Sequence, residues 1–228
     1  MKSRRALGVV GGLGPEGVSH FVELVERMGR TPWPGKGPEV IIRDFPRIPD
    51  GTGYLLGSNL RSPLPGLYRV SRELSRQDVG CIAIPCISAH YFYRELCDAV
   101  DKPIINPMEE TARLLQEHGV ECAGILATEA TVRSGLFTEA LERRGIRAVY
   151  AGMERNRHCD AMELERLQLE LKALGAEVTV LGCARLSGVK FRHGVGPGVL
   201  DVMEVLARAA LLSCGRPVRP EYDRLITG

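Results

Sequence analysis

The strongest constraint on the fold of this 228-residue chain is a regular alternation of short apolar runs, each closed by small residues, with segments of helical period. Leu7-Gly-Val-Val10 reads as a buried strand; the glycine-rich loop 11–17 then leads into an amphipathic helix over 18–28. A Pro/Gly-rich passage, 31–38, precedes a second strand at 40–42 and a turn-rich segment, 45–57. Helix 64–76, strand 80–84, a turn at Pro85-Cys86 and helix 88–100 follow. After Lys102-Pro103 the scheme resumes with helix 108–117, strand 122–126, loop 127–131, helix 132–144, strand 147–150, helix 161–174 and strand 177–181, which ends at Gly182-Cys183. Such alternation predicts α/β architecture with parallel sheets flanked by helices, where functional groups gather at the carboxyl ends of strands.

Two kinds of segment occur twice. Leu7-Gly-Val-Val-Gly-Gly-Leu-Gly-Pro-Glu16 and Ala123-Gly-Ile-Leu-Ala-Thr-Glu-Ala-Thr131 share a layout of strand, small-residue loop and helix. Cys81-Ile-Ala-Ile-Pro-Cys86 and Val178-Thr-Val-Leu-Gly-Cys183 each set a cysteine just past a buried strand. Loop, cysteine, loop, cysteine is the order expected of two similar doubly wound domains. Pseudo-twofold packing of such halves would put both cysteines at one interface, an active-site cleft between the domains.

Composition removes several function classes. Hydrophobic residues make up 44% and charged residues 25%, as in ordinary globular proteins. The net charge of +2, with basic and acidic residues interspersed, gives no nucleic-acid footprint. The apolar run after the basic residues 1–5 is too short for a signal peptide, and no stretch reaches the roughly 18 apolar residues of a membrane span. Seven cysteines, an odd number and widely spaced, predict reduced thiols in a cytoplasm. There is no C-x-x-C pair and His158-Cys159 stands alone, so no metal site is expected.

Gly12-Leu-Gly14-Pro-Glu-Gly17 matches G-x-G-x-x-G between a strand and a helix, the setting of a dinucleotide fingerprint. Pro15 removes a backbone donor, however, and Glu16 puts negative charge where pyrophosphate would sit. Asp44 also comes late for a ribose contact. A tight turn or a small-anion or substrate loop fits better. Thr128 and Thr131 lie at a strand end before a helix, where hydroxyls and N–H groups suit a carboxylate; plain N-capping is the alternative. Cys86 precedes a helix, whose positive end favours a thiolate, and Cys183 has Arg185 two residues on. Cys81, Cys97, Cys122 and Cys214 lie in or beside apolar stretches and read as buried packing.

These motifs resemble, in order and over most of the chain, those of the aspartate/glutamate racemase superfamily. Gly11-Gly-Leu-Gly-Pro15 resembles its opening loop, Ile48-Pro-Asp-Gly-Thr52 its Ile-Pro-Asp-Arg-Thr loop, and Ser62-Pro-Leu-Pro65 its Ser-Pro-Leu-Pro turn. Ile84-Pro-Cys-Ile-Ser-Ala-His90 is similar to Pro-Cys-Asn-Thr-Ala-His, and Leu126-Ala-Thr-Glu-Ala-Thr-Val-Arg-Ser-Gly135 to the central carboxylate loop. Leu181-Gly-Cys-Ala-Arg-Leu186 is similar to Leu-Gly-Cys-Thr-Glu-Leu, and a closing helix over 201–210 completes the match. The resemblance implies two domains, 1–106 with 207–228 and 107–206. It also implies a two-base mechanism: one thiolate of the pair Cys86 and Cys183 removes the α-proton of an amino acid while the other thiol protonates the opposite face. Substrate contacts are expected at Gly12, Gly14, Ser88, Thr128, Thr131 and Arg185, with neither metal nor pyridoxal phosphate needed, and a homodimer is carried over from the family.

The departures bear on substrate. Gly51 stands where many members carry an arginine that, in the aspartate-specific enzymes, grips a substrate carboxylate. Ile87 and Ser88 replace Asn and Thr, Ala184 and Arg185 replace Thr and Glu, and the region 153–171 is shorter than in the family. The ligand expected is therefore an amino acid or related carboxylate outside strict aspartate or glutamate specificity. Other chemistry on the same scaffold, or a binding protein without turnover, are the competing readings.

Overall fold

The computed structural model describes residues 5–29, 37–153 and 159–228. Residues 1–4, most of the Pro/Gly-rich passage and His158 lie outside them. The chain divides into two compact units, Met1–Asn106 with Leu206–Asp223, and Pro107–Val205 with Arg224–Gly228.

The first unit runs β1 (Ala6–Val10), α1 (Pro15–Gly29), β2 (Val40–Arg43), α2 (Gly51–Leu55), α3 (Leu64–Ser75) and β3 (Val79–Ala83), then a 3-10 helix at Ile87–Phe92 and α4 (Tyr93–Ala99). Its sheet is parallel with order β2-β1-β3, Gly8 lying opposite Ile41 on one side and Ile82 on the other. All five residues of β1 are buried, as a strand covered by helices on both faces requires. Helix α3 buries Leu67, Val70, Ser71 and Leu74, one stripe at helical spacing, and its apolar members join Val10, Ile82 and Ile84 in the core. Fully burying an aliphatic side chain of this size contributes about 1.5–3 kcal/mol. The turn-rich segment holds a short helix, because Asp50 accepts from the N–H groups of Thr52 and Gly53 at 3.0 Å each and so caps α2.

The second unit comprises α5 (Pro107–Glu117), β4 (Cys122–Thr128), α6 (Glu129–Arg133), α7 (Leu136–Glu142), β5 (Arg147–Met153), α8 (Ala161–Ala173), β6 (Val178–Leu181), α9 (Ala184–His193) and β7 (Val199–Asp201). Its parallel sheet has order β5-β4-β6-β7, with Ile125 between Tyr150 and Val180, and Leu181 beside Asp201. The helix expected over 132–144 is two helices. Gly135, at φ 70°, takes the left-handed conformation that glycine adopts without penalty and separates α6 from α7. Helix α9 and strand β7 were not expected from sequence. Residues 224–228 pack with this unit because Thr227 exchanges backbone hydrogen bonds with Gly198 and Val199, and its hydroxyl donates to the Gly196 carbonyl at 2.9 Å. Helix α10 (Val202–Ser213) starts at the end of β7 and carries the chain back into the first unit.

Both units are thus doubly wound with the same initial order. Each begins on an inner strand, steps to one neighbour, then crosses to the other side, so the winding reverses between β1 and β3 and between β4 and β6. Ligands of open α/β sheets bind outside the carboxyl ends of strands at such a reversal.

Candidate active site

In the first unit the loop leaving β1 meets the segment leaving β2. Gly11 donates its N–H to the Arg43 carbonyl at 2.9 Å. Gly12, at φ 90°, brings its backbone so close to Phe45 that a Cβ built on it would overlap the Phe45 carbonyl. Gly14, at φ 121°, has open space around the same position. The glycines therefore serve the turn itself, Gly12 most stringently. Gly12→Ala is expected to lower stability by about 3 kcal/mol, strain and overlap together, and Gly14→Ala by about 1 kcal/mol, strain alone. Urea unfolding checks this, and equal losses at the two positions would contradict it.

Cys86 follows β3 through Ile84 and Pro85, with extended φ −146° and ψ 110°, and its carbonyl accepts from the Ala89 N–H at 3.2 Å to open the 3-10 helix. Its Sγ lies 3.4 Å from the hydroxyl of Ser88, which is 7% exposed. His90, 1% exposed, sets Nδ1 3.0 Å from the Cys86 carbonyl and Nε2 3.3 Å from that of Ile105. Burial lowers its pKa to about 4 against the pull of these backbone contacts; the neutral ring carries one N–H and donates to one of the two carbonyls, helping to fasten the turn that carries Cys86. A Cβ on Gly51, first residue of α2, would stand 3.8 Å from the Ser88 hydroxyl, at ordinary contact distance.

In the second unit β4 ends at Thr128, whose Oγ1 accepts from the Thr131 N–H at 3.4 Å and lies 3.0 Å from the Thr131 hydroxyl. Both threonines are engaged in capping α6. Strand β6 leads through Gly182 to Cys183. A side chain on Gly182 would strike Phe137 at 2.9 Å, so glycine permits the close passage of this turn. Cys183 has φ −153° and ψ 137° and is the N-cap residue of the ten-residue helix α9. Ser187, four residues on, donates its hydroxyl to Asp201 Oδ2 at 2.6 Å; Asp201, 1% exposed, also accepts from the Met203 N–H at 2.9 Å. Lys190 pairs with Glu204 at 2.6 Å, so two polar links fasten α9 to the end of β7 and the start of α10.

Arg185 is exposed in the first turn of α9, where a cation opposes the helix dipole, so helix stability does not account for it. Its charge is felt nearby. Burial, with Glu163, Asp160 and Cys183, pushes the Cys159 thiol up, and Arg185 works against that rise. Cys159 and Cys183 pack against one apolar cluster.

The Asp/Glu/Hydantoin racemase family model matches residues 10–210. The chain belongs to this family. Among curated relatives, the broad specificity amino-acid racemase RacX of Bacillus subtilis is 31% identical over 78 residues, which are 34% of this chain and 34% of RacX, about a third of that relative's length. Among solved structures, the aspartate racemase of Picrophilus torridus superposes with a TM-score of 0.77 at 20% identity, over 96% of this chain and 98% of its own. The maleate isomerase Iso of Pseudomonas putida S16 gives 0.64 at 15% identity, over 100% and 99%.

The racemase-family segments occupy strand ends and the turns after them. Gly12, Gly14, Cys86 and Ser88 gather at the carboxyl end of the first sheet; Thr128, Thr131, Cys183 and Arg185 gather at that of the second. Ser187 and Asp201 were missed by sequence reasoning. Their signal was present, since Asp201 interrupts the apolar run Val199-Leu-Asp-Val-Met203, and a carboxylate there needs buried partners. Among the described residues no group of three or more His, Cys, Asp or Glu is placed to hold a metal ion, and no helix is long and apolar enough to cross a membrane.

Proposed function

We propose that this protein is a cofactor-independent amino-acid racemase in which Cys86 and Cys183 act on opposite faces of one α-carbon. The observation that carries this reading is the equivalent placement of the thiols: each follows the strand at the far side of its own sheet's winding reversal. One sulfur, as thiolate, takes the α-proton; the electron pair left on carbon is stabilised by the substrate carboxylate and its hydrogen-bond donors; the other thiol then delivers its proton from the opposite side. Arg185 supplies positive charge to the substrate carboxylate or to the Cys183 thiolate. Gly12, Gly14, Ser88, Thr128 and Thr131 supply the remaining contacts. The enzyme works in the cytoplasm on a small amino acid or related carboxylate, as a homodimer.

Incubating the protein with a panel of L- and D-amino acids in deuterium oxide tests this directly. α-Proton exchange lost in both Cys86→Ala and Cys183→Ala supports it. Binding without exchange of any amino acid would leave a binding protein. Isomerisation or decarboxylation of a dicarboxylic acid would select other chemistry on the same scaffold, whereas the replaced residues flanking the cysteines, Ile87, Ala184 and Arg185, favour the binding reading.

The substrate lacks an acidic side chain in this account. A charge-assisted contact contributes about 1.5–3 kcal/mol, and Gly51 provides none. The broad specificity of RacX is in keeping with that. Because the Gly51 position has room for a side chain, Gly51→Arg is expected to raise kcat/KM for aspartate relative to a neutral amino acid by about 10-fold or more. An unchanged ratio in a folded variant would contradict the specificity argument.

A further inference from the structure

Two thiols outside the candidate site meet inside the first unit. Cys81, in the middle of β3, and Cys214, just past the end of α10, are 0% and 1% exposed, and their Sγ atoms lie 3.6 Å apart. Each sulfur also has a backbone carbonyl in reach, Ala210 at 3.6 Å for Cys81 and Ala6 at 3.5 Å for Cys214. The backbones approach closely because Gly80 lies between them: a Cβ there would stand 3.2 Å from both the Cα and the Sγ of Cys214. A disulfide needs the sulfurs at about 2.05 Å, a closure of about 1.5 Å that side-chain rotation and a small shift of the helix end supply.

The two sulfurs are not equivalent. The hydrogen bond from Cys81 pulls the Cys214 thiol down against the opposing effect of burial, helped by backbone hydrogen bonds from Cys81 and Gly80 and by the Arg216 charge. The same hydrogen bond, with burial, pushes Cys81 up. Placement points the same way: Cys214 stands just past the last turn of α10, whereas Cys81 is enclosed in the middle of β3, so Cys214 is the sulfur an oxidant reaches first. Leu212, 44% exposed, and the exposed Ser213 directly precede Cys214, so only the last turn of α10 stands between its sulfur and solvent.

We propose that Cys81 and Cys214 form a redox site that closes to an intramolecular disulfide in the presence of a hydroperoxide, fastening the end of α10 to the strand that leads to Cys86. With hydrogen peroxide, the Cys214 thiolate attacks one oxygen, the O–O bond breaks, and sulfenic acid forms as hydroxide leaves. The Cys81 sulfur then attacks the Cys214 sulfur; the S–S bond forms and the sulfenic oxygen leaves as water with the Cys81 proton. Two electrons pass from the thiols to the peroxide, and the proton first released by Cys214 turns the hydroxide into a second water. The site is independent of any reaction at Cys86 and Cys183.

The test treats the wild-type protein with hydrogen peroxide, alkylates remaining thiols under denaturing conditions and maps the unreduced digest by mass spectrometry. The expected result is a peptide pair joined through Cys81 and Cys214. It is accompanied by a thermal midpoint raised by about 10 °C over the reduced protein, because the bond closes a loop of more than a hundred residues. Dithiothreitol reverses both changes, and neither occurs in Cys81→Ala or Cys214→Ala. Recovery of Cys81 and Cys214 as alkylated thiols, or their pairing with other cysteines, overturns the proposal. The peptide map uses the wild-type chain and therefore decides the matter even if a variant fails to fold.

Discussion

Cys86→Ser and Cys183→Ser are each expected to reduce racemisation of the best amino-acid substrate by about 10³-fold or more, with the fold intact by circular dichroism. A serine hydroxyl is a far weaker acid than a thiol, so it neither reaches the anionic form needed to take an α-proton nor returns one readily. In the proposed mechanism both sulfurs take part in proton transfer in each direction, so losing either would stop the cycle. The double variant is accordingly expected to be little worse than the singles, as for residues that act as a unit. Chiral separation of the product amino acid over time gives the rates. A single variant retaining a tenth or more of the activity would remove that cysteine from the chemistry.

Stability is expected to fall by about 3 kcal/mol as pH drops from 7 to 4 through His90 alone. In the folded protein its pKa is lowered from 6.5 to about 4, so between those values the unfolded chain binds more protons and acid favours unfolding. The contribution is complete above pH 6.5 and is lost as pH falls towards 4. Other groups titrate over the same range, so the diagnostic is the difference between the wild type and His90→Gln. The variant should be less stable at pH 7, having lost the ring's hydrogen bond and its packing in a buried site, yet show a flatter dependence in urea unfolding between pH 7 and 4. Equal slopes would mean that His90 titrates alike in the folded and unfolded chains and that its burial does not hold the ring neutral.

The sheets were legible because their strands are buried on both faces. Runs such as Ala6–Val10 and Cys122–Thr128 carry almost nothing polar, and the turns after them hold the glycines and cysteines of the candidate site. What escaped is held by tertiary contacts. Helix α9 is interrupted by Gly188 and followed by Gly194, Gly196 and Gly198, a pattern that reads as loop. The Asp201–Ser187 hydrogen bond and the Lys190–Glu204 pair fix it to β7 and α10. Helix α2 contains two glycines in five residues and forms because Asp50 caps it. The continuous helix expected after Cys86 is a 3-10 helix followed by α4, and the His90 contact to Ile105, fifteen residues on, is not a local signal. Nor was the meeting of Cys81 with Cys214, which depends on α10 returning to the first unit. The placement of Cys86 and Cys183 was readable for the opposite reason: each lies within a few residues of a strong strand.

The claim that two thiols work from opposite faces has a distinctive isotopic consequence. A thiol that has exchanged with solvent delivers deuterium to the face opposite the one from which hydrogen was taken. In deuterium oxide, at early times and starting from one enantiomer, the product enantiomer should therefore carry deuterium at the α-carbon while the unreacted enantiomer keeps its hydrogen, starting from either hand. Deuterium entering the starting enantiomer as fast as the product, which a single group serving both faces would give, would contradict the account.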